Sequence, residues 1–239
     1  MSKRPKYRRV LLKLSGEALG DPNGGLDMKK VLSICRQVAD LSREGIQLAI
    51  VVGGGNFIRG RDLTGSGLSE VAADTMGMLS TVLNGVALQD ALENCGVATR
   101  LQTAIPMQAV AEPFIRRRCI SHLEDDKVVV LAAGTGHPYF TTDTAAALRA
   151  REVEADVLLK ATNVPGVYDD DPKVNPDAKL IKHLTYDEVL HKNLRVIDAA
   201  AISLCREGGL PVIVFDVTAS GNIRKAVFGQ RIGTTIEGG

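Results

Sequence analysis

Ile50-Val51-Val52-Gly53-Gly54-Gly55-Asn56 is an apolar run cut short by three glycines, and Phe57-Ile58-Arg59-Gly60 follows it. A buried strand that ends in bare backbone beside an arginine suits a phosphate. Glycines without Cβ atoms can take positive φ and bring their N–H groups close to a ligand, while an arginine forks onto its oxygens. A tight strand-to-helix connection is the plainer reading of the same triple glycine. The common phosphate motifs do not fit. Reading GxGxxG from Gly53 puts Ile58 where the third glycine belongs, and GxxxxGK[ST] occurs nowhere, which excludes a dinucleotide dehydrogenase as far as sequence can.

The 239 residues suit one large α/β domain or two small ones, with 45% hydrophobic and 24% charged residues marking a globular chain. A net charge of +1 gives no global field for nucleic acid or an anionic membrane, so a polyanion has to be held by a local site. Cys35, Cys95, Cys119 and Cys205 form no CxxC, and the four histidines form no HExxH. Reduced core thiols in a cytoplasm, and no protein-bound catalytic metal, are the expectation. The basic start, Met1 to Arg9, has no apolar signal core, and no apolar run approaches membrane length.

Upstream of the glycines, Arg9 to Leu14 reads as a buried strand ending at Ser15-Gly16-Glu17, and Met28 to Glu44 as a helix stopped by Gly45. Lys13 is unusual in such a strand: it either snorkels from an edge or meets an anion. Gln47 to Val52 is the next strand. Beyond a polar loop from Asp62 to Gly67, a helical pattern runs from Ala72 to about Cys95, with Asp74 in its first turn as a helix-start charge. Thr99 to Leu101 reads as a strand and Glu112 to Glu124 as a helix carrying Arg116-Arg117-Arg118, a solvated face or an effector or subunit contact.

Val128 to Ala133 is the clearest buried strand, and it feeds a second glycine loop, Gly134-Thr135-Gly136-His137-Pro138-Tyr139-Phe140-Thr141-Thr142-Asp143. An alanine-rich helix follows from Thr144 to Ala150, so the hydroxyls of Thr141 and Thr142 stand at its N-terminus, where an anion is favoured. Asp143 is either a helix-start charge or a carboxylate that orders lysines. Ala155 to Lys160 repeats the opening pattern, a strand ending in a lysine. Thr185 to Glu188 is a capping box, Asp198 caps a helix to Glu207, Pro211 to Asp216 is a strand, Asn222 to Gln230 the last helix, and Thr234 to Ile236 an edge strand. Asp169-Asp170-Asp171 lacks the spacing of a calcium loop.

Alternating strands and helices imply a mainly parallel sheet covered on both faces, with ligands beyond the carboxyl ends of the strands. Lys13, the Gly53 loop, the Gly134 loop and Lys160 all fall at such ends, so one cleft can collect them. Two glycine loops, two strand-end lysines and an arginine, with no histidine or cysteine in a nucleophilic context, point to phosphoryl transfer. Two cradles suggest a donor and an acceptor. An acceptor that is itself a phosphate is already anionic and needs no general base, leaving Asp143 to hold the lysines.

These residues also carry a resemblance. Lys13-Leu-Ser-Gly-Glu-Ala-Leu19, Val52-Gly-Gly-Gly-Asn56 with Arg59-Gly60, Ala73-Asp-Thr-Met-Gly-Met-Leu79 with Asn84, and Gly134 to Ala147 resemble the bacterial uridylate kinases of the amino acid kinase family over essentially the whole chain. The resemblance implies a single domain, 1–239, with a three-layer α/β/α sandwich around a mainly parallel central sheet. Residues to about 150 would serve mainly the acceptor and the oligomer, and residues 151–239 mainly ATP.

The implied reaction is ATP plus UMP giving ADP plus UDP, with Mg2+ carried by the nucleotide. Catalysis would fall to Lys13, Arg59, Asp143 and Lys160. Lys13, Leu14, Ser15, Gly16, Gly55 and Arg59 would meet the ATP phosphates, and Thr162, Asn163, Tyr168 and Asp171 the adenine side. Gly54, Asp74, Thr135, Gly136, His137, Pro138, Tyr139, Phe140, Thr141 and Thr142 would hold UMP. A homohexamer built of dimers, activated by GTP and inhibited by UTP, is implied as well. Gln89 and Glu93 stand where some relatives carry basic residues, and Arg100 and the Arg116 cluster remain as effector contacts. Other readings are a nucleotide-binding regulatory protein of the same fold and a kinase for another small acceptor.

Overall fold

The computed structural model describes residues 4–58, 67–170, 174–175, 177–192, 194 and 196–238. The opening apolar run is strand β1 (Arg9–Leu14), buried from Val10 onward. Ser15 then caps a four-residue helix, α1 (Gly16–Leu19), which the sequence pattern did not show. Helix α2 (Met28–Arg43), capped by Asp27, leads to β2 (Gln47–Val52), and α3 (Glu70–Asn94), capped by Ser69, leads to β3 (Thr99–Thr103).

The helix read over Glu112 to Glu124 is a correction. Glu112 and Pro113 form a short strand, β4 (Glu112–Pro113), paired in parallel with Gln102 and Thr103, and α4 (Arg116–Glu124) begins only after it. A proline has no N–H for a ladder and is tolerated at a sheet edge, where β4 lies. Then come β5 (Val128–Ala132), α5 (Thr142–Glu152) and β6 (Val157–Thr162). A small antiparallel pair, β7 (Val167–Tyr168) and β8 (Leu180–Ile181), stands apart from the main sheet. The chain continues through β9 (His183–Leu184), α6 (Tyr186–His191) behind its Thr185–Glu188 capping box, α7 (Ala199–Glu207), β10 (Val212–Asp216), α8 (Asn222–Val227) and β11 (Thr234–Ile236).

Nine strands form one sheet in the order β4-β3-β5-β2-β1-β6-β10-β11-β9, and every pairing is parallel except β10 with β11. The edge at the chain's end is therefore β9 and not β11. Alternation along β1 separates two apolar layers. Val10, Leu12 and Leu14 pack with Val38, Leu88 and Ile223 of α2, α3 and α8, while Leu11 packs with Ala146 and Ile202 of α5 and α7. Each of these leucines is fully buried, worth roughly 1.5–3 kcal/mol. The result is the three-layer α/β/α sandwich.

Helix α3 is long and apolar enough, by length and composition alone, to cross a membrane. Here it packs on the sheet with Thr81 and Asn84 buried. Strand β1 sits between β2, which follows it closely in sequence, and β6, which the chain reaches through α5 only after passing back over β2 and β1. Such a switch in strand order opens a crevice at the carboxyl ends of the strands.

Candidate active site

Lys13 and Lys160 are direct neighbours in the β1–β6 register. Both side chains leave the face covered by α5 and meet one carboxylate, Asp143, in the first turn of that helix. Lys13 Nζ lies 2.7 Å from Asp143 Oδ1, an ion contact off the line of a hydrogen bond, and Lys160 Nζ donates to Oδ2. The three side chains are only 9%, 12% and 14% exposed for Lys13, Lys160 and Asp143, so their charges act through little water. Asp143 is thus both a helix-start charge and the holder of two lysines.

Burial works to raise the pKa of Asp143, but Lys13 and Lys160 outweigh it and hold the carboxyl below its ordinary range. For Lys160 burial is the main influence, lowering its pKa, with Lys13 adding to it against the pull of Asp143. A carboxylate with a lowered folded-state pKa contributes stability that is present above the ordinary carboxylate range and lost as pH falls through the lowered value. The gap in melting temperature between the wild type and Asp143→Asn should therefore be widest at neutral pH and close on acidification. A gap that stays constant down to strongly acid pH would show that Asp143 contributes nothing through its charge.

The first glycine loop is positioned by close packing and not by positive φ. Neither Gly53 nor Gly54 has a left-handed φ, contrary to the expectation from sequence. A Cβ on Gly54 would instead stand 2.6 Å from Ser80 Cβ and 2.7 Å from the Gly77 carbonyl oxygen of α3. A Cβ on Gly16 would stand 2.5 Å from the Gly55 nitrogen and 2.9 Å from that of Asn56. The Ser15–Gly16 turn and the Gly53–Asn56 loop thus lie backbone against backbone beyond β1 and β2, and the Gly53 amide donates to Leu14 O at 2.8 Å. Gly16→Ala has to push two backbones apart, and a loss of about 1–3 kcal/mol is expected, read by thermal denaturation; an unchanged melting temperature would mean that the loop yields freely.

The second loop does use left-handed backbone. Ala133, Gly134, Gly136 and Tyr139 have φ of 63°, 58°, 83° and 70°. At Ala133, which is fully buried, this costs about 1–2 kcal/mol and persists because the fold over-determines it. Thr135 Oγ1 accepts from the His137 amide at 3.2 Å. Asp74 Oδ2 accepts from the Tyr139 amide at 2.7 Å. Helix α3 begins at Glu70, so Asp74 lies in its second turn and not its first, and the carboxylate holds the Gly134–Asp143 loop instead of serving the helix dipole. Tyr139 and Phe140 turn their rings to solvent.

Thr141 is the cap of α5, its hydroxyl accepting from the Asp143 and Thr144 amides and donating to Asp198. Thr142 opens that helix, and Pro138 lies in the loop before it. Asp198 is more than the cap foreseen for α7. Besides the Ala201 amide it accepts from Thr144 Oγ1 at 2.9 Å, tying the start of α7 to the start of α5 beside Lys160.

On the other flank, Thr162 ends β6 and donates to Val164 O at 2.7 Å, Asn163 is exposed, and Tyr168 is half-buried in β7. Asp169 accepts from the Lys179 amide and Asp170 from Asn175, so both staple the β7–β8 connection. Arg59, Gly60 and Asp171 lie outside the described residues, as does most of the Asp62–Gly67 loop. Gln89 donates to Glu93 on α3, and Arg116 pairs with Glu154. Among the described residues, no group of three or more His, Cys, Asp or Glu side chains is placed to hold a metal ion.

Two glycine-bearing loops, a short backbone-packed turn and a buried Lys–Asp–Lys contact at the carboxyl ends of parallel strands form a site for moving a phosphoryl group. The chain matches the amino acid kinase family over residues 8–216. It is 57% identical over 235 residues to the chloroplastic uridylate kinase PUMPKIN of Arabidopsis thaliana, an alignment covering 98% of this chain and 69% of that protein. A crystal structure of UMP kinase from Bacillus anthracis superposes with a TM-score of 0.94 at 38% identity, covering 97% of this chain and 96% of that one. UMP kinase from Ureaplasma parvum superposes at 0.91 with 33% identity, covering 98% and 100%. The chain belongs to the amino acid kinase family.

Proposed function

We infer that this chain is a UMP kinase, transferring the γ-phosphoryl group of ATP to UMP to give ADP and UDP. The observation that carries the reading is the buried Lys13–Asp143–Lys160 contact between two loops, each of which brings bare backbone to the same cleft. The 57% identity to a uridylate kinase supports the choice of acceptor. In this reading Lys13 and Lys160, with Arg59, neutralise the charge that spreads over the transferring oxygens, while Asp143 keeps the two ammonium groups in place. The UMP phosphate is an anion near neutral pH, so no side chain has to remove a proton from it.

ATP would lie over Lys13 to Gly16, Gly55 and Arg59, with its base toward Thr162, Asn163, Tyr168 and Asp171. UMP would lie against Gly54, Asp74 and Thr135 to Thr142, the Asp74 carboxylate accepting from ribose hydroxyls. Residues to about 150 would then serve chiefly the acceptor and residues 151–239 chiefly the donor. Magnesium would enter as part of the ATP substrate.

A homohexamer of dimers belongs to the same reading. Leu79, Leu83 and Val86 of α3 are 42%, 54% and 45% exposed along one face, an apolar stripe suited to a second copy. Activation by GTP and inhibition by UTP, and a cytoplasmic location suited to four free thiols, complete the proposal.

A coupled assay comparing UMP, CMP, AMP, acetate and carbamate as acceptors tests the activity. UMP should be turned over preferentially, and preference for a carboxylate or carbamate would overturn the reading. Light scattering in the same buffer tests assembly, and a monomer would sink the hexamer.

A further inference from the structure

One helix reaches both phosphate loops. On α3, Asp74, Thr81 and Asn84 are spaced by seven and three residues and share one stripe of the helix surface. Asp74 accepts from Tyr139 N. Thr81 Oγ1 accepts from Ala133 N at 2.6 Å and donates to Met78 O at 2.7 Å. Asn84 Nδ2 donates to Gly53 O at 2.7 Å, and its amide pairs reciprocally with that of Asn56 at 2.7 and 2.9 Å. Asn56 continues to the Gly25 carbonyl at 2.9 Å.

Thr81 and Asn84 are 1% and 0% exposed. A primary amide buried in the middle of an apolar helix is unfavourable unless its partners are in place, and here the partners of Asn84 are Gly53 and Asn56 of the first loop, while the buried Thr81 hydroxyl takes the Ala133 amide at the start of the second. The fit is close on both sides. A Cβ on Gly54 would strike α3, and a Cβ on Gly85 would stand 2.7 Å from Leu101 Cδ1 and 3.3 Å from Ala132 Cβ, at the end of the strand that feeds the second loop. The left-handed turn at Ala133, uncommon for a residue with a Cβ, is held at its amide by Thr81 alone among the described side chains.

We propose that Thr81 and Asn84 are positioning residues for phosphoryl transfer, making α3 the spacer that sets the distance between the Gly53–Asn56 loop and the Ala133–Gly136 loop. The two residues sit about 4.5 Å apart along a rigid helix axis. Each fixes one loop by hydrogen bonds to backbone, so the separation of donor and acceptor phosphates follows from helix geometry and not from loop sequence. In-line transfer is sensitive to such spacing, since a misplacement of about 1 Å lowers rate by about 10²-fold. Both side chains are buried and spend their polar atoms on protein partners, so they act through the loops. The inference rests on the reading of the loops as donor and acceptor cradles.

The test compares Thr81→Val, which keeps shape but loses the hydroxyl, with Thr81→Ser, which keeps the hydroxyl, using kcat and both Michaelis constants at a temperature where circular dichroism shows each variant folded. The expected result is a kcat about 10- to 100-fold lower for Thr81→Val, with the Michaelis constants for ATP and UMP within a few-fold of wild type, and a Thr81→Ser kcat close to wild type. Should Thr81→Val not fold, Thr81→Ala takes its place against Thr81→Ser under the same criteria. A folded Thr81→Val with wild-type kcat, or equal losses in Val and Ser variants, would overturn the inference while UMP turnover by the wild type still stood. Absence of UMP turnover in the wild type would overturn the underlying reading instead.

Discussion

Lys13→Ala is expected to lower kcat for UMP by about 10²–10³-fold while the Michaelis constant for UMP stays within a few-fold of wild type. The Lys13 ammonium is buried at the strand end and already in contact with Asp143, so in the proposed mechanism it would meet the developing charge preorganised, where water replaces it poorly. Its removal leaves Asp143 still paired with Lys160, so no buried carboxylate loses its last partner, and the variant should fold. Steady-state kinetics at saturating ATP, with circular dichroism as the control, checks the result. A rise confined to the UMP Michaelis constant would remove Lys13 from the chemistry and assign it to binding.

The second large effect belongs to Asp143→Asn, for which turnover should fall by about 10²-fold or more in a protein that is still folded but less stable. Two ammonium groups on adjacent strands would then face each other, with Asp198 acting on Lys160 from farther away. Breaking a buried ion pair by removing one partner is destabilising by about 3–5 kcal/mol, and at this chain length each kcal/mol shifts the melting temperature by about 2–4 °C. The excess positive charge should also make ATP a stronger stabiliser of the variant than of the wild type, measurable as a larger ATP-induced rise in melting temperature. Near-normal turnover would reduce Asp143 to a helix-start charge.

Much of this arrangement is legible in the residues because strong patterns coincide with strand ends. Val10 to Leu12, Ile50 to Val52 and Val128 to Leu131 are continuous apolar runs, short enough and rich enough in branched residues to read as strands covered on both faces. A lysine at the end of such a run has few uses, and that is why the sequence alone places Lys13 and Lys160 in one cleft. Two-residue strands such as β7, β8 and β9 are too short for a period of two to register. Glu112 to Glu124 reads as one helix because its charges fit a solvated face, although Pro113 marks the break. The second roles of Asp198, Thr81 and Asn84 were hidden for another reason. A local role already accounts for an aspartate before a helix or a polar residue inside one, and only the meeting of distant segments gives them a second role. The glycines misled in detail, since Gly53 and Gly54 are required by the nearness of other backbone and not by their own φ.

The placement of Lys160 directly beside Lys13 in the β1–β6 register has a consequence for how the molecule is made. At roughly 5–20 residues per second, Lys13 is synthesised about 6–30 seconds before Asp143 and Lys160. Strands β1 and β2 are close in sequence and can pair early, but the face of β1 that bears Lys13 stays uncovered until the β5–α5–β6 crossover is complete. That crossover delivers the carboxylate and the second ammonium together, one on its helix and one on its strand. The buried Lys13–Asp143–Lys160 contact is thus absent from every shorter nascent chain, and the site is completed in one step rather than built up residue by residue.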